Sequence, residues 1–324
     1  MSRKKEKAII NKVLRSASRK VLLGAISVLL VLFALHIALP EAFAAGVGTT
    51  GAQFLKIGVG ARAVGMGSSF VAVADDVNTA YWNPSGFSQI EKIELTTMYL
   101  SWIEGINYGY IGYAHPCKGN LTVGGSLTYL TTGDIPGTNT VGETTGDYSG
   151  EDIAFSLSVG KKVTDNMSIG SNVKVIQQQI DNESASGYAF DVGTLYVINE
   201  RSNVGMVVQN IGAKIKFVEQ EDALPLNWKV GASHKLLRDD LTLAMDVNFP
   251  VDNKVTEHIG AEYMMSDAVA VRIGYKTDTI TSLGTDSGFS AGFGLVVATY
   301  SMDYAWVPYG DLGQTHRLSF LMRF

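Results

Sequence analysis

The chain has 324 residues, of which 46% are hydrophobic and 18% are charged, and its net charge is −5 at neutral pH. This acidic balance argues against nucleic acid as a partner, because phosphate binding requires clustered lysine and arginine. Cys117 is the only cysteine, so the chain cannot form an internal disulfide and has too few thiols for a structural zinc site.

Residues 1–44 have the layout of a cleaved signal peptide. Residues 1–20 carry eight lysines and arginines against one glutamate, residues 21–39 are apolar, and an Ala-Phe-Ala cleavage motif ends at Ala44. The alternative is a retained transmembrane anchor, since about 19 apolar residues can just span a bilayer. Pro40 and the Gly- and Thr-rich sequence after the motif favour cleavage, which would leave 18 basic and 29 acidic residues, a net charge of −11.

From residue 93 onward, apolar and polar residues alternate with a period of two, which is typical of β-strands with one polar and one apolar face. Leu243 and Met245, for example, lie on the opposite face from Thr242 and Ala244. The polar face is rich in Gly, Ser, Asn, Lys and Asp, as a wet lumen would be. Because a soluble sandwich also alternates, the connections between the strands have to decide the architecture.

The connections favour an outer-membrane barrel. Short turns at one end and long loops at the other are the arrangement of these barrels, with the long loops facing outward. Closure also pairs the backbone groups of every strand, as a bilayer requires. The short connections are expected near 116–119, 162–165, 200–203, 237–240 and 264–267, and the long ones near 132–149, 211–225 and 277–287. The sequence therefore predicts an all-β fold, a 14-stranded antiparallel transmembrane β-barrel over 93–324, with strands near 93–101, 105–115, 120–131, 150–161, 166–179, 187–199, 204–210, 226–236, 241–248, 255–263, 268–276, 288–296, 299–306 and 315–324.

Aromatic residues are expected on the lipid-facing side of the barrel. Trp102, Trp228, Trp306 and Tyr309 lie near predicted strand ends, where a membrane interface places its aromatic girdle. Aromatics within the strands, such as Tyr188, Phe190 and Tyr196, are expected to face lipid rather than to form a ligand cage.

Several stretches identify a family. Before the first strand lie a Gly-rich stretch (51–67), a stretch that ends in Asp75-Asp76 (68–76) and Tyr-Trp-Asn-Pro-Ser-Gly-Phe (81–87). With later stretches at 224–231, 246–253 and 293–316, they closely resemble the PorV/PorQ family and, more distantly, FadL-type channels for hydrophobic substrates. The resemblance implies a 14-stranded FadL-like barrel with the N-terminal segment folded into or under the lumen. The terminal Phe324 resembles the aromatic last residue that the outer-membrane assembly machinery reads.

Residues 45–92 are accordingly predicted to form a plug or hatch. Glycine permits tight turns that other residues disfavour, and Pro84 after Asn83 fixes a turn. Asp75 and Asp76 are expected to pair with cations of the lumen; the alternative is that they form a solvated turn. The predicted plug residues are Gly65, Met66, Gly67, Asp75, Asp76, Asn83, Pro84 and Gly86, and the predicted lumen cations are Arg272, Lys276, Arg317 and Arg323.

Two short motifs resemble enzyme signatures. Residues 58–63 fit the dinucleotide pattern G-x-G-x-x-A, but no βαβ unit surrounds them. Residues 288–292 fit the nucleophile pattern G-x-S-x-G, but Ser290 lies within a predicted strand rather than at a strand–turn–helix elbow. The histidines of the predicted barrel lie on separate strands without metal-ligand spacing. Neither catalysis nor a cofactor or metal is expected.

Two functions remain open from the sequence. The family resemblance implies a type IX-like protein-secretion component in the outer membrane of a Gram-negative-type bacterium, which binds or shuttles exported cargo. The alternative is a FadL-like channel for small hydrophobic molecules. A continuous apolar cavity behind the plug would favour transport, whereas a lumen sealed by polar side chains would favour cargo binding.

Overall fold

The computed structural model describes residues 46, 48–277 and 287–324. The predicted signal peptide, residues 1–44, lies outside the described residues, as does most of the long connection predicted near 277–287.

Fourteen strands of the described chain form one closed antiparallel barrel, and the first strand pairs with the last. The prediction of a 14-stranded barrel is therefore confirmed, with strand bounds that differ from the predicted ones by a few residues. Numbering all strands in chain order, the barrel strands are β1 (Glu94–Ser101), β2 (Asn107–Cys117), β3 (Leu121–Thr131), β6 (Gly150–Lys162), β7 (Met167–Ile180), β8 (Glu183–Asn199), β9 (Ser202–Gly212), β12 (Asn227–Leu236), β13 (Leu241–Pro250), β14 (Thr256–Ser266), β15 (Val269–Lys276), β16 (Phe289–Val297), β17 (Tyr300–Pro308) and β18 (Gln314–Arg323).

The two ends of the barrel differ. At the end that we call the short-turn end, consecutive strands are joined by two to four residues. The opposite end, the long-loop end, holds the connections 132–149 and 213–226, together with the end of β15 at Lys276 and the start of β16 at Phe289. Both connections contain small hairpins, formed by β4 (Ile135–Thr138) with β5 (Thr144–Tyr148) and by β10 (Ile215–Phe217) with β11 (Gln220–Asp222).

The two faces of the barrel strands have the predicted chemistry. Along β18, Arg317 and Ser319 point into the lumen and are 3% exposed, whereas Leu318 and Phe320 point outward and are 42% and 53% exposed. Tyr188, Phe190 and Tyr196 are likewise exposed on the outside. An apolar outer face and a polar inner face are the pattern of a barrel that meets lipid outside.

Residues 48–92, which we call the inner segment, lie inside the barrel. One short helix of this segment contacts β15 to β18, while a later turn contacts β3 and β6 to β8, so the segment touches opposite walls. None of the described helices is long and apolar enough to span a membrane. The helices are α1 (Ala61–Gly65) and α2 (Thr79–Trp82), with 3-10 turns at Gln53–Lys56, Pro84–Gln89, Ile103–Gly105, Leu237–Asp239 and Gly310–Leu312.

Candidate functional site

Glycines on the inner face of the wall allow the inner segment to lie directly against the strands. At Gly170, a Cβ atom would overlap the backbone of Pro84, and at Gly274 it would overlap the backbone of Gly67. Several are direct cross-strand partners; Gly160, for example, pairs with Gly170. A Cβ atom would meet backbone of the inner segment at six of these glycines: Gly160, Gly170, Gly205, Gly260, Gly274 and Gly292. At three others, Gly124, Gly193 and Gly231, it would meet side chains of the segment, those of Phe87, Asn83 and Val71. We call the nine together the glycine belt.

The predicted plug residues Gly65, Met66 and Gly67 lie against β14 to β16. The N–H of Gly67 donates to Oγ of Ser290 at 3.0 Å, and that hydroxyl donates to the carbonyl of Gly65 at 3.2 Å. Gly67 has a φ of +66°, a conformation that favours glycine. Ser290, the serine of the G-x-S-x-G pattern, thus holds the inner segment to the wall.

The predicted turn at Asn83 and Pro84 lies against the opposite wall. Asn83 is fully buried, and its amide nitrogen donates to the carbonyls of Val71 (2.8 Å) and Thr194 (3.2 Å). Its side-chain oxygen accepts from the N–H and the hydroxyl of Ser85, which caps the 3-10 turn that Pro84 begins. Asn83 therefore ties the turn both to its own segment and to β8.

Asp75 and Asp76 belong to a buried charge network. Both accept from Arg62 of α1, at 2.6 and 3.1 Å, and Arg62 also pairs with Glu262 of β14 at 2.8 Å. Burial raises the pKa of Asp76 above its ordinary value, against the attraction of Arg62. Burial would lower the pKa of Arg62, but Asp75, Glu262 and Asp76 hold it above its ordinary range.

The predicted pairing of the two aspartates with the lumen cations is corrected by this arrangement. Arg272 pairs instead with Glu262 at 2.6 Å and with Asp303 at 2.7 Å, so its charge is already balanced by the wall. Arg323 pairs with Glu94 at 2.8 Å. Arg62, which was not among the predicted residues, makes an ionic link from the inner segment to a barrel strand.

Backbone groups of the inner segment also bond to wall side chains all around the lumen. Asp246 of β13 accepts from the N–H groups of Phe70 and Val71, at 2.8 and 3.0 Å. On other strands the wall groups are Ser319 to Ala61 N, Asn172 to Ala80 O, Ser233 to Ala72 O and Glu94 to Val77 N. Buried backbone N–H and C=O groups need hydrogen-bond partners, and the wall side chains supply them here.

The N-terminal end of the segment is held at the long-loop end. Asp252, in the connection between β13 and β14, accepts from Thr50 at 2.5 Å and pairs with Lys56 at 2.9 Å. Burial would raise the pKa of Asp252, but the hydrogen bonds from Thr50, Gln53 and Lys56 hold it below its ordinary value. The N–H of Gly51 also donates to a loop carbonyl, that of Ala223.

A cavity of about 220 Å³ lies between the inner segment and the long-loop end. Tyr81 and Trp82 of the segment line it, and so do Trp102 and Tyr309, whose ring centroids are 6.2 Å apart. The prediction that Trp102 and Tyr309 belong to the outer girdle is therefore wrong; both lie just beyond a strand end, where the chain turns over the lumen. The predicted cations Lys276 and Arg317 also line this cavity.

The described residues contain no group of histidine, cysteine and carboxylate side chains placed to hold a metal ion. His115 and His316 lie on the outer surface, each beside a tyrosine hydroxyl, at 3.0 and 2.6 Å. Cys117 is exposed and has a free thiol.

A closed antiparallel barrel with an apolar outer face defines the class of β-barrel membrane proteins. The chain belongs to the family described as "Type IX secretion system protein PorV", whose sequence model matches residues 42–259. The predicted family resemblance is thereby confirmed. No curated protein matches the chain.

Solved structures of similar fold include two toluene transporters and a FadL homologue. The toluene transporter TbuX of Ralstonia pickettii has a TM-score of 0.62 at 13% identity, covering 82% of this chain and 98% of its own. A FadL homologue of Pseudomonas aeruginosa has a TM-score of 0.55 at 14% identity, with coverage of 82% and 98%. The toluene transporter TodX of Pseudomonas putida has a TM-score of 0.58 at 11% identity, with coverage of 82% and 99%. At these identities the likeness establishes the FadL-like fold alone.

Proposed function

We propose that this protein is an outer-membrane component of type IX-like secretion, which binds a secreted protein at the long-loop end and whose own lumen is sealed. Family membership supports the secretion role. The observation that carries the sealed state is the contact of the inner segment with the glycine belt. A lumen of 14 strands is wider than barrel side chains alone can fill, and here backbone lies against backbone on both walls.

The inner segment acts as a plug in this proposal. Its central residues, including Met66, Phe70 and Phe87, are fully buried. Opening a path past them would break the ion pairs of Arg62 and the bonds of Ser290 and Asp246 together. A concerted loss of that many buried contacts is disfavoured at equilibrium, since breaking one buried ion pair alone costs about 3–5 kcal/mol.

The long-loop end offers apolar residues that a partner could cover. Val141, between β4 and β5, is 76% exposed, and Val218, between β10 and β11, is 66% exposed. Val218 has a φ of +50°, which is a rare and costly conformation for a β-branched residue. Exposed apolar residues at loop tips fit an interaction surface.

The test is site-specific photo-crosslinking in cells of the source bacterium. A photoreactive amino acid at Val141 or Val218 should capture a secreted protein. Val163, which is 53% exposed in a connection at the short-turn end, is the matched control and should not. Absence of any captured protein at the long-loop end, or equal capture at Val163, would overturn the proposal.

One observation favours a second function, passage of a small hydrophobic molecule. The cavity at the long-loop end has apolar and aromatic walls that include Leu55, Trp82 and Val307. If the protein is a channel, vesicles that contain the purified protein should take up toluene faster than vesicles without it. A sealed lumen predicts equal rates.

A further inference from the structure

Three lysines lie together at the short-turn end of the barrel. Lys118 is in the turn between β2 and β3, and Lys161 and Lys162 end β6. The N–H of Lys162 donates to the carbonyl of Asn120, in the same turn as Lys118, at 3.1 Å. Lys161 is the cross-strand partner of Leu121, which follows that turn. The three lysines are therefore neighbours, and all three are exposed.

The charges of these lysines are not balanced by the protein. None of the three forms an ion pair within the described part of the chain. Asp165, in the turn after β6, is the one acidic residue that the sequence places in the two turns. Elsewhere at the same end a cation is paired, because Arg201 lies 3.0 Å from Asp239. The turns around Lys118 and Lys162 therefore form a positive surface.

The apolar outer face of the barrel continues directly from this positive surface. Lys161 follows Val159 in the outward alternation of β6, and both side chains are exposed. Further from the turns, no side chain projects outward from Gly125 of β3. Its cross-strand partners Tyr113 and Leu157 are exposed on either side of it. The outer face therefore has a shallow apolar notch at Gly125, in line with the lysines.

The turn lengths place the lysines at a particular depth in the membrane. Short turns of bacterial barrels face the periplasm, so Lys161 lies where the inner leaflet of the outer membrane, which consists of phospholipids, meets water. Tyr113, whose hydroxyl lies 3.0 Å from Nδ1 of His115, has the position of an aromatic residue at this interface. A molecule that contacts both Lys161 and Val159 must carry a charged group next to an apolar body at that depth. A phospholipid does so, whereas a soluble protein would reach the lysines alone.

We propose that Lys118, Lys161 and Lys162 bind the phosphate of an anionic phospholipid of the inner leaflet, with an acyl chain along the notch at Gly125. A lipid with a net negative charge, such as phosphatidylglycerol, is favoured over a zwitterionic one, because each lysine near the membrane surface adds to the attraction for anionic lipids. The proposal requires only that the barrel spans the membrane with its short turns in the periplasm. It does not depend on the secretion role.

The test uses the only cysteine of the chain as a reporter position. Cys117 is exposed, and its cross-strand partner Leu121 pairs in turn with Lys161, so a fluorophore on its thiol lies next to the lysines. The labelled full barrel is placed in phosphatidylcholine vesicles that contain a small fraction of nitroxide-labelled phosphatidylglycerol or nitroxide-labelled phosphatidylcholine. Fluorescence quenching should give phosphatidylglycerol an association constant at least about fivefold higher, the factor that one favourable charge at the membrane surface supplies.

A variant with glutamine at all three lysine positions should lose this preference for phosphatidylglycerol. Its matched control removes the same charge from another part of the short-turn end, by Arg201→Gln, Lys235→Gln and Arg238→Gln, and should keep the preference. Equal quenching by the two lipids in the parent would overturn the proposal. Equal loss in the two triple variants would also overturn it, because net charge alone would then explain the attraction. If the first triple variant does not assemble into a heat-modifiable barrel, Lys161→Gln takes its place and should weaken the preference.

Discussion

Arg62 of the inner segment and Glu262 of β14 are joined by two parallel hydrogen bonds, from Nε and Nη2 to the two carboxylate oxygens, each 2.8 Å long. Such a bidentate pair combines charge with fixed geometry. It joins residues that are 200 positions apart in sequence. Arg272 also donates to Glu262, and Asp75 and Asp76 also accept from Arg62, so this pair is the link through which the charges of the inner segment join those of the wall.

Replacing Arg62 should loosen the inner segment and leave the barrel intact. Arg62→Gln leaves Glu262 and Asp76 buried with less compensation, which typically costs about 3–5 kcal/mol. Hydrogen exchange of residues 60–76 should accelerate, while the barrel remains heat-modifiable on gels. Arg201→Gln breaks an exposed pair with Asp239 and should change stability by less than about 1 kcal/mol. Unchanged exchange in Arg62→Gln would contradict this role.

A methyl group added to the glycine belt should displace the inner segment. Gly170→Ala places a Cβ against the backbone of Pro84, which cannot rotate away, and overpacking of this kind costs about 1–3 kcal/mol. Gly109→Ala on β2 is the control, because its Cβ would come no nearer than 3.9 Å to the nearest atom. The urea concentration at the midpoint of unfolding in lipid vesicles should be lower for Gly170→Ala than for Gly109→Ala. Equal midpoints for the two variants would show that the belt is not tightly packed.

Deleting residues 65–87 should open the lumen. The strands keep their own hydrogen bonds, so we expect a heat-modifiable barrel to assemble. Single-channel conductance in planar bilayers should then exceed that of the parent, because the deleted residues fill the middle of the lumen. If the deletion variant assembles and conducts no more than the parent, these residues are not a plug.

Acid should release the N-terminal end of the inner segment at Asp252. The pKa of Asp252 is lower in the folded protein than its ordinary value of about 4. Asp252 therefore stabilises the fold fully at a pH above its ordinary pKa, and this stabilisation is lost as the pH falls through its pKa in the folded protein. Hydrogen-exchange protection of residues 51–57 should fall in that range. Asp252→Asn should abolish this pH dependence, whereas Asp165→Asn, in an exposed turn, should preserve it.

The strands could be predicted because their signal is local. The alternation of apolar residues such as Leu243 with polar residues such as Thr242 involves only neighbours in sequence, and so do the turn lengths. A strand with one polar and one apolar face must show this alternation. The position of the Asn83–Pro84 turn could also be read from adjacent residues, although its bond to the carbonyl of Thr194 could not.

The contacts of the inner segment could not be predicted in the same way. Arg62 pairs with a residue 200 positions away, and the sequence does not show which carboxylate of 14 strands faces it. The predicted partner Arg272 was already paired with two wall carboxylates. Trp102 and Tyr309 lie at strand ends, where a shift of one or two residues moves a side chain from the outside to the lumen. Inward glycines were visible as part of the polar face, but their alignment into a belt depends on strand register.

The glycine belt also restricts which substitutions the barrel wall can accept during evolution. Gly160, Gly170 and Gly274 have no side chain and lie directly against the inner segment. A larger residue at any of these positions can be accepted only if the backbone of the inner segment shifts. Pro84 and Gly67 are the residues that would have to move. Positions 84 and 170, and positions 67 and 274, are therefore expected to vary as pairs among related chains, although each pair is distant in sequence.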